Sequence, residues 1–294
     1  MHITTCICTY QRPVWLARLL RSLIEQDTRN GFTHSVVVVD NDVRESAREV
    51  VADAARFPLP MVYAVESRRS ISHARNRSVA LATGDAIVFI DDDEVPERDW
   101  LHHLWSTWVE HQVAGVLGPV RPLYARDTPE WVIRGGFYFR AEHPTGYVMP
   151  WSECRTGNAL LDRRLIQGVD PVFLPEFGTG GSDVDFFRRM INAGHRFIWC
   201  NEAIVHEVVP PNRWKRTILL QRALLRGQNS FRHPEGRSQS LAKGILAVPL
   251  YILALPFLFV LGHHYFMRYL VKLCDHLGRL LAAVGIRPMK QRAM

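Results

Sequence analysis

Five cysteines in 294 residues are too few, and odd in number, for a disulfide framework. Cys6, Cys8, Cys154, Cys200 and Cys274 stand in apolar surroundings and read as reduced core thiols of a cytoplasmic protein. Cys6-Ile7-Cys8 has no second Cys or His pair near it, which argues against a four-ligand zinc site. No Gly-x-Gly-x-x-Gly follows the first β-rich segment, and no Gly-x-x-x-x-Gly-Lys-Ser/Thr occurs, so dinucleotide-binding and P-loop readings fail. A Gly-x-Ser-x-Gly elbow is missing too. The start shows neither a basic n-region nor a leader-like apolar run, so no secretory signal is expected. Acids nearly vanish from Asn212 onward, where Glu235 and Asp275 face 14 Lys/Arg. The first 211 residues carry 22 Lys/Arg and 27 Asp/Glu, so the net +7 divides into a body of −5 and a tail of +12. Such a tail suits an anionic partner, either nucleic acid or a membrane surface.

What is present excludes disorder, since 47% of residues are hydrophobic and 10% aromatic. The body is long enough for one large α/β domain over residues 1–211, with residues 212–294 as a separate helical region. Strands are expected at Ile3 to Thr9, Val36 to Val39, Met61 to Val65 and Ala86 to Ile90. Helices are expected between them, from Pro13, from Arg44 to Arg56, and from Ser72 to Ala82. This order predicts a mostly parallel sheet with helices on both faces. Ligands of such sheets bind beyond the carboxyl ends of the strands. Thr9-Tyr10, Asp40-Asn41-Asp42 and Asp91-Asp92-Asp93 would all gather on that edge.

Residues 121–160 show no period and are rich in aromatics, Gly and Pro, including Trp131, Tyr147 and Trp151, as a binding loop or an aromatic cap would be. Ser182 is the expected N-cap of a helix that carries Asp183 and Asp185 in its first turn. A last strand is expected at Phe197-Ile198-Trp199. In the tail, Trp214 to Phe231 reads as a basic helix. Gly244 to Gly262 is almost wholly apolar, long enough to cross a bilayer yet divided by Pro249 and Pro256. Arg or Lys flanks both ends, and an amphipathic helix with Arg268, Lys272 and Arg279 on its polar face follows. A charge-free run is poor for nucleic acid, so membrane attachment is the expectation and nucleic acid is not.

Three consecutive carboxylates repel unless a cation or hydrogen bonds offset them. Hard ions such as Mg2+ or Mn2+ are held by one or two carboxylates and substrate phosphates. In an extended segment Asp91 and Asp93 point one way and Asp92 the other, so Asp91 and Asp93 could share a ligand. A second acidic group, Asp183 with Asp185, could supply a general base, and only one of them would face the reaction.

Ile7-Cys8-Thr9-Tyr10-Gln11-Arg12-Pro13, Val39-Asp40-Asn41-Asp42, Ser72-His73-Ala74-Arg75-Asn76-Arg77 and Phe89-Ile90-Asp91-Asp92-Asp93-Glu94 occur in that order. Gly157-Asn158-Ala159-Leu160 and Gly180-Gly181-Ser182-Asp183 follow. Together they resemble the motifs of family 2 inverting glycosyltransferases with the GT-A fold, over roughly residues 1–210. They look most like the bacterial exopolysaccharide branch, with its succinoglycan-type β-glucosyltransferases. The resemblance implies that Thr9, Tyr10, Arg12, Asp40, Asp42, Arg75, Asp91 and Asp92 hold a UDP-sugar. It further implies Asp93, Asp91 and His206 around Mg2+ or Mn2+, and Asp183 as base, with Ser182 where the family has Glu. Trp151, Gly157 and Asn158 would lie on the acceptor side. A lipid-linked oligosaccharide would be the acceptor, at the cytoplasmic face of a bacterial inner membrane. A metal-dependent nucleotidyltransferase or phosphotransferase, and a non-catalytic membrane scaffold, are the alternatives. The first lacks a glycine- and lysine-rich loop, and the second does not explain the intact Asp91, Asp93 and Asp183.

Overall fold

Apolar runs and leucine stripes alternate along the first ninety residues, and each becomes a strand or a helix. The computed structural model describes residues 1–178, 180–231 and 237–286. Its first elements are β1 (His2–Thr9), α1 (Pro13–Ile24), β2 (Thr33–Asp40), α2 (Arg48–Ala54), β3 (Met61–Val65), α3 (Ile71–Leu81) and β4 (Ala86–Phe89). Then come β5 (Glu94–Pro96), α4 (Trp100–His111), β6 (Gly115–Leu117), β7 (Val120–Tyr124), α5 (Glu130–Gly135) and β8 (Ala159–Asp162). The remainder comprises α6 (Ser182–Asn192), β9 (Phe197–Trp199), β10 (Val205–Val209), α7 (Arg216–Ser230), α8 (Arg237–Leu261) and α9 (His263–Ala283).

Seven strands form one sheet in the order β3-β2-β1-β4-β8-β6-β9. Only β8 runs against its neighbours, pairing antiparallel with both β4 and β6. The Val36–Val39 run is explained by two cores. Val36 and Val38 pack on one face with Leu16, Leu19, Leu20 and Leu23 of α1, while Val37 and Val39 pack on the other with Phe186 and Phe187 of α6. Full burial of each such side chain stabilises the fold by roughly 1.5–3 kcal/mol. α1 begins at Pro13, whose missing N–H is not needed in a first turn.

The structure departs from the sequence expectations at several places. α2 starts four residues later than expected because Asp40 Oδ2 accepts the Ala47 N–H at 2.8 Å and Glu45 adopts φ +57°. These hold the intervening residues in a turn. α6 is capped by Gly181, in the left-handed region at φ +93°, so Ser182 is the first helical residue and not the cap. The aperiodic stretch 121–160 contains β7, α5 and the start of β8, which are too short to show a period. α8 runs unbroken through Pro249 and Pro256.

The chain divides into two compact units. One comprises Met1–Pro122 and Arg140–Val208, and holds the seven-stranded sheet. Its partner unit takes the chain from Val209 and also Leu123–Phe139, so the division expected at residue 211 misses an inserted segment. The physical reason lies within the second unit, where Trp131 of α5 meets His263 of α9 at 5.1 Å and carries the Arg216 guanidinium over its ring. In the same unit α7 and α9 touch through glycines. A Cβ on Gly227 would overlap the Asp275 carbonyl, and one on Gly278 would overlap that of Leu224. Arg226 closes the crossing with two bonds to Asp275, at 2.9 and 2.7 Å.

Candidate active site

The carboxyl ends of β1 and β4 are adjacent because these strands pair in parallel, with Cys6 opposite Phe89. Thr9 and Arg12 thereby reach the acidic run that follows β4. Thr9 Oγ1 donates to Asp92 Oδ2 at 2.8 Å, and Arg12 Nη1 lies 2.8 Å from Asp92 Oδ1 and 3.2 Å from Asp93 Oδ2. Asp92 is thus a buried anchor between Thr9 and Arg12. Burial raises its carboxyl pKa, opposed by Arg12.

β8 brings the next component because it is antiparallel. Ala159 sits opposite Phe89, so Gly157 falls beside Asp91. A Cβ on Gly157 would stand 2.8 Å from Glu94 Oε1 and 2.9 Å from Asp91 Oδ2. Glycine is required there by the close approach of two carboxylates. Glu94 is buried; its Oε2 accepts the Asp91 N–H at 2.9 Å, and its Oε1 has no hydrogen-bond partner among the described residues. Burial pushes the Asp91 carboxyl up to about 6, countered by Arg75 and reinforced by Asp93. Burial and the charge of Asp91 also raise Glu94 well above the usual carboxylate range. β10 pairs antiparallel with β5, setting Glu207 opposite Glu94, and Arg140 Nη2 reaches Glu207 Oε2 at 2.9 Å. The Arg140 guanidinium also lies in the field of Glu94, Asp91 and Asp183.

The third component comes from α3 and α6. Asn76 exchanges two 2.8 Å hydrogen bonds with the backbone of Phe173, fixing the segment before α6. Arg75 packs over the Phe173 ring and donates to Ser182 Oγ. The two candidate bases then separate. Asp185 is buried and bound by Arg188 at 3.1 Å and Arg189 at 2.9 Å on its own helix. Asp183 is half-buried, and among the described residues its carboxylate takes no hydrogen bond or ion pair.

Other expected site residues are placed differently. Asp40 is fully buried, with its oxygens taken by the Asp42 and Ala47 amides and the Tyr63 hydroxyl, so it shapes the loop after β2. Asp42 is buried and accepts the Arg44 N–H. Tyr10 carries the Arg69 guanidinium 4.6 Å above its ring. Asn158, expected on the acceptor side, points into the protein. It is buried, accepts from Trp100 Nε1 and donates to the Pro119 and Ala203 carbonyls, tying the start of β8 to the segments around it. Trp151 packs against the core on the α6 side of the sheet. His206 is not brought to the Asp91–Asp93 run. In the β5–β10 register it opposes Val95, and its ring meets Glu97 at 3.0 Å. Glu94 ends a motif the sequence shows, yet only the fold reveals its contact with Gly157. Arg140 lies in the aperiodic stretch and had no sequence signal at all.

Among the described residues no group of three or more His, Cys, Asp or Glu could hold a metal ion alone. The available donors, the hard oxygens of Asp91 and Asp93, fit Mg2+ or Mn2+ whose shell is completed by phosphate oxygens. Three guanidiniums, from Arg12, Arg75 and Arg140, stand around these acids. The site therefore offers a cation-compatible acidic floor, positive walls and one open carboxylate.

The model of glycosyl transferase family 2 matches residues 4–166. The succinoglycan biosynthesis protein ExoM of Rhizobium meliloti (strain 1021) is 39% identical over 233 residues, which cover 78% of this chain and 74% of that protein. Among solved structures, the mannosyltransferase PcManGT from Pyrobaculum calidifontis, in complex with GDP-Man and Mn2+, superposes with a TM-score of 0.63 at 20% identity, covering 95% of this chain and 86% of that one. S. aureus TarS 1–349 in complex with UDP-GlcNAc gives 0.58 at 16% identity, covering 98% and 93%, while a longer TarS chain is covered over only 55% of its length. These two structures share the GT-A-like fold of the sheet-bearing unit. With the family model spanning more than half its length, this chain is a glycosyltransferase that belongs to family 2.

Proposed function

We propose that the chain transfers a sugar, glucose, with inversion from a UDP-sugar to a hydroxyl of a lipid-linked oligosaccharide in bacterial exopolysaccharide synthesis. The observation that carries this reading is the contrast between two neighbouring carboxylates: Asp185 is locked by arginines, and Asp183 is open, next to the Ser182 that Arg75 holds and in the field of the Arg140 that also faces Asp91. Asp183 takes the proton from the acceptor hydroxyl. The freed oxygen attacks the anomeric carbon opposite the leaving group, the bond from that carbon to the diphosphate oxygen breaks, and its electron pair departs with UDP. One carboxylate suffices, because a single displacement forms no covalent enzyme intermediate.

Asp91 and Asp93 would hold Mg2+ or Mn2+, which supplies charge neutralisation for the diphosphate when bound. Arg12 keeps Asp92 and Asp93 in register, and Arg75 and Arg140 limit the repulsion among the acids. Thr9, Tyr10, Arg12 and Asp42 surround the nucleotide in this reading, and Gly157 leaves room for the sugar. Attachment through the basic, apolar second unit would set the site at the cytoplasmic face of the inner membrane, where a lipid-linked acceptor is presented. Supporting this are the ExoM relationship and the 21-residue apolar stretch Leu241–Leu261, long and apolar enough to cross a membrane.

A panel of UDP-sugars with Mg2+ or Mn2+, read as binding and slow hydrolysis without acceptor, tests the proposal. UDP-glucose is expected to bind and to be hydrolysed fastest. Failure of every UDP-sugar to bind would overturn it.

A further inference from the structure

Leu241–Leu261 spans about 30 Å as a helix, the thickness of a bilayer's hydrocarbon core, so length alone allows a crossing. Its neighbour does not. Gly244, Tyr251 and Phe259 of α8 face α9, where Tyr251 meets Tyr269 and His276 at 5.6 and 5.7 Å, and Phe259 meets Phe266 at 5.5 Å. α9 therefore runs antiparallel along α8 from Gly244 to Phe259. Lys272, exposed, and the Arg226–Asp275 ion pair between α7 and α9 lie level with Tyr251, in the middle of the apolar stretch of α8. A crossing would carry these charges to the bilayer centre, where charged side chains are most costly.

The prolines point the same way. Pro249 and Pro256 deprive the carbonyls of Ile245 and Ile252 of their usual donors four residues on, and all four residues lie on the exposed side of α8. At the bilayer centre those carbonyls would have no partner, whereas water and headgroups supply donors at the interface. Beyond the exposed Lys243, the remaining exposed surface of α8 is apolar, with Leu246, Leu250, Leu253, Phe257 and Val260. The exposed cations Arg268 and Lys272 stand on the adjoining helix.

We propose that the α8–α9 hairpin lies in a single leaflet of an anionic bilayer, roughly parallel to its plane, with α8 in the acyl boundary and Arg268 and Lys272 among anionic headgroups. The proposal rests on the membrane reading above and decides its geometry: the hairpin enters without crossing.

The test adds the purified full chain to preformed vesicles of phosphatidylcholine and phosphatidylglycerol. A cysteine at the tip of the hairpin, Leu261→Cys, is labelled by a membrane-impermeant maleimide supplied outside or trapped inside, with the parent chain correcting for native thiols. Labelling from the outside is expected. Labelling only from the inside would mean that α8 crosses, and would overturn the inference while leaving membrane attachment intact. Leu253→Glu, at a side chain 69% exposed, is expected to weaken vesicle binding roughly tenfold with UDP-sugar binding unchanged. If the parent chain does not bind vesicles, or instead pairs with a second copy through α8, the membrane reading itself fails.

Discussion

Arg75 Nη1 donates to Ser182 Oγ at 2.8 Å, joining α3 to the first turn of α6 across 107 positions of sequence. Ser182 is fully buried and Arg75 half-buried, and the residue that follows Ser182 is Asp183. A hydrogen bond to a charged group contributes about 1.5–3 kcal/mol, and losing it leaves a guanidinium short of a partner. Ser182→Ala is expected to lower kcat roughly tenfold or more, with KM for the UDP-sugar little changed. Steady-state kinetics with both substrates checks this split.

The two acids of α6 predict opposite phenotypes. Asp183→Asn should reduce transfer by at least about a hundredfold, as expected for loss of a general base, with UDP-sugar affinity and unfolding midpoint retained. Asp185→Ala should destabilise by roughly 3–5 kcal/mol, because it removes a buried carboxylate that both Arg188 and Arg189 bind. Denaturant unfolding and calorimetric UDP binding, run on both variants, separate the roles.

Gly157 admits no side chain without moving two carboxylates. Gly157→Ala would press on Asp91 Oδ2 and Glu94 Oε1 at less than 3 Å. We expect kcat/KM for the donor to fall about tenfold or more. The far-ultraviolet circular dichroism should stay that of the parent, since the β8 pairing itself is untouched.

Arg140 compensates the charge of Glu207, Glu94 and Asp91 together. Arg140→Ala should lower donor kcat/KM by roughly ten- to a hundredfold. Arg140→Lys should recover only part, because a point charge cannot reproduce the planar fork. Initial rates at subsaturating donor provide the measurement.

Chelation should abolish transfer, and Mg2+ or Mn2+ should restore it. Asp93→Asn should show no such rescue if Asp93 is the principal ligand. Activity after EDTA treatment and metal titration decides.

Much of the sheet was legible in the sequence because a buried parallel strand needs apolar residues on both faces. Val36–Val39 satisfies that requirement, and α1 shows its leucines at helical spacing. The polar triplets after β2 and β4 were legible for the converse reason: charge cannot continue into such a core. Their division of labour was not. Asp40 and Asp92 look like ligand residues in one dimension but serve as buried anchors, because backbone amides and Arg12 reach them only after folding. The same holds for Asn158, whose motif is visible and whose hydrogen bonds run to Trp100, Pro119 and Ala203.

The sequence alone determined the class of this protein, its acidic site and the split between an acidic body and a basic, apolar tail. Those properties depend on local composition, periodicity and motif order. Tertiary structure alone decided which carboxylate stays open, that Arg140 and Gly157 stand among the acids, and that His206 turns to Glu97. It also set Lys272 and the Arg226–Asp275 pair level with the middle of α8. Each of these depends on strand register or helix crossing, which bring together residues tens of positions apart. No local pattern encodes such distances.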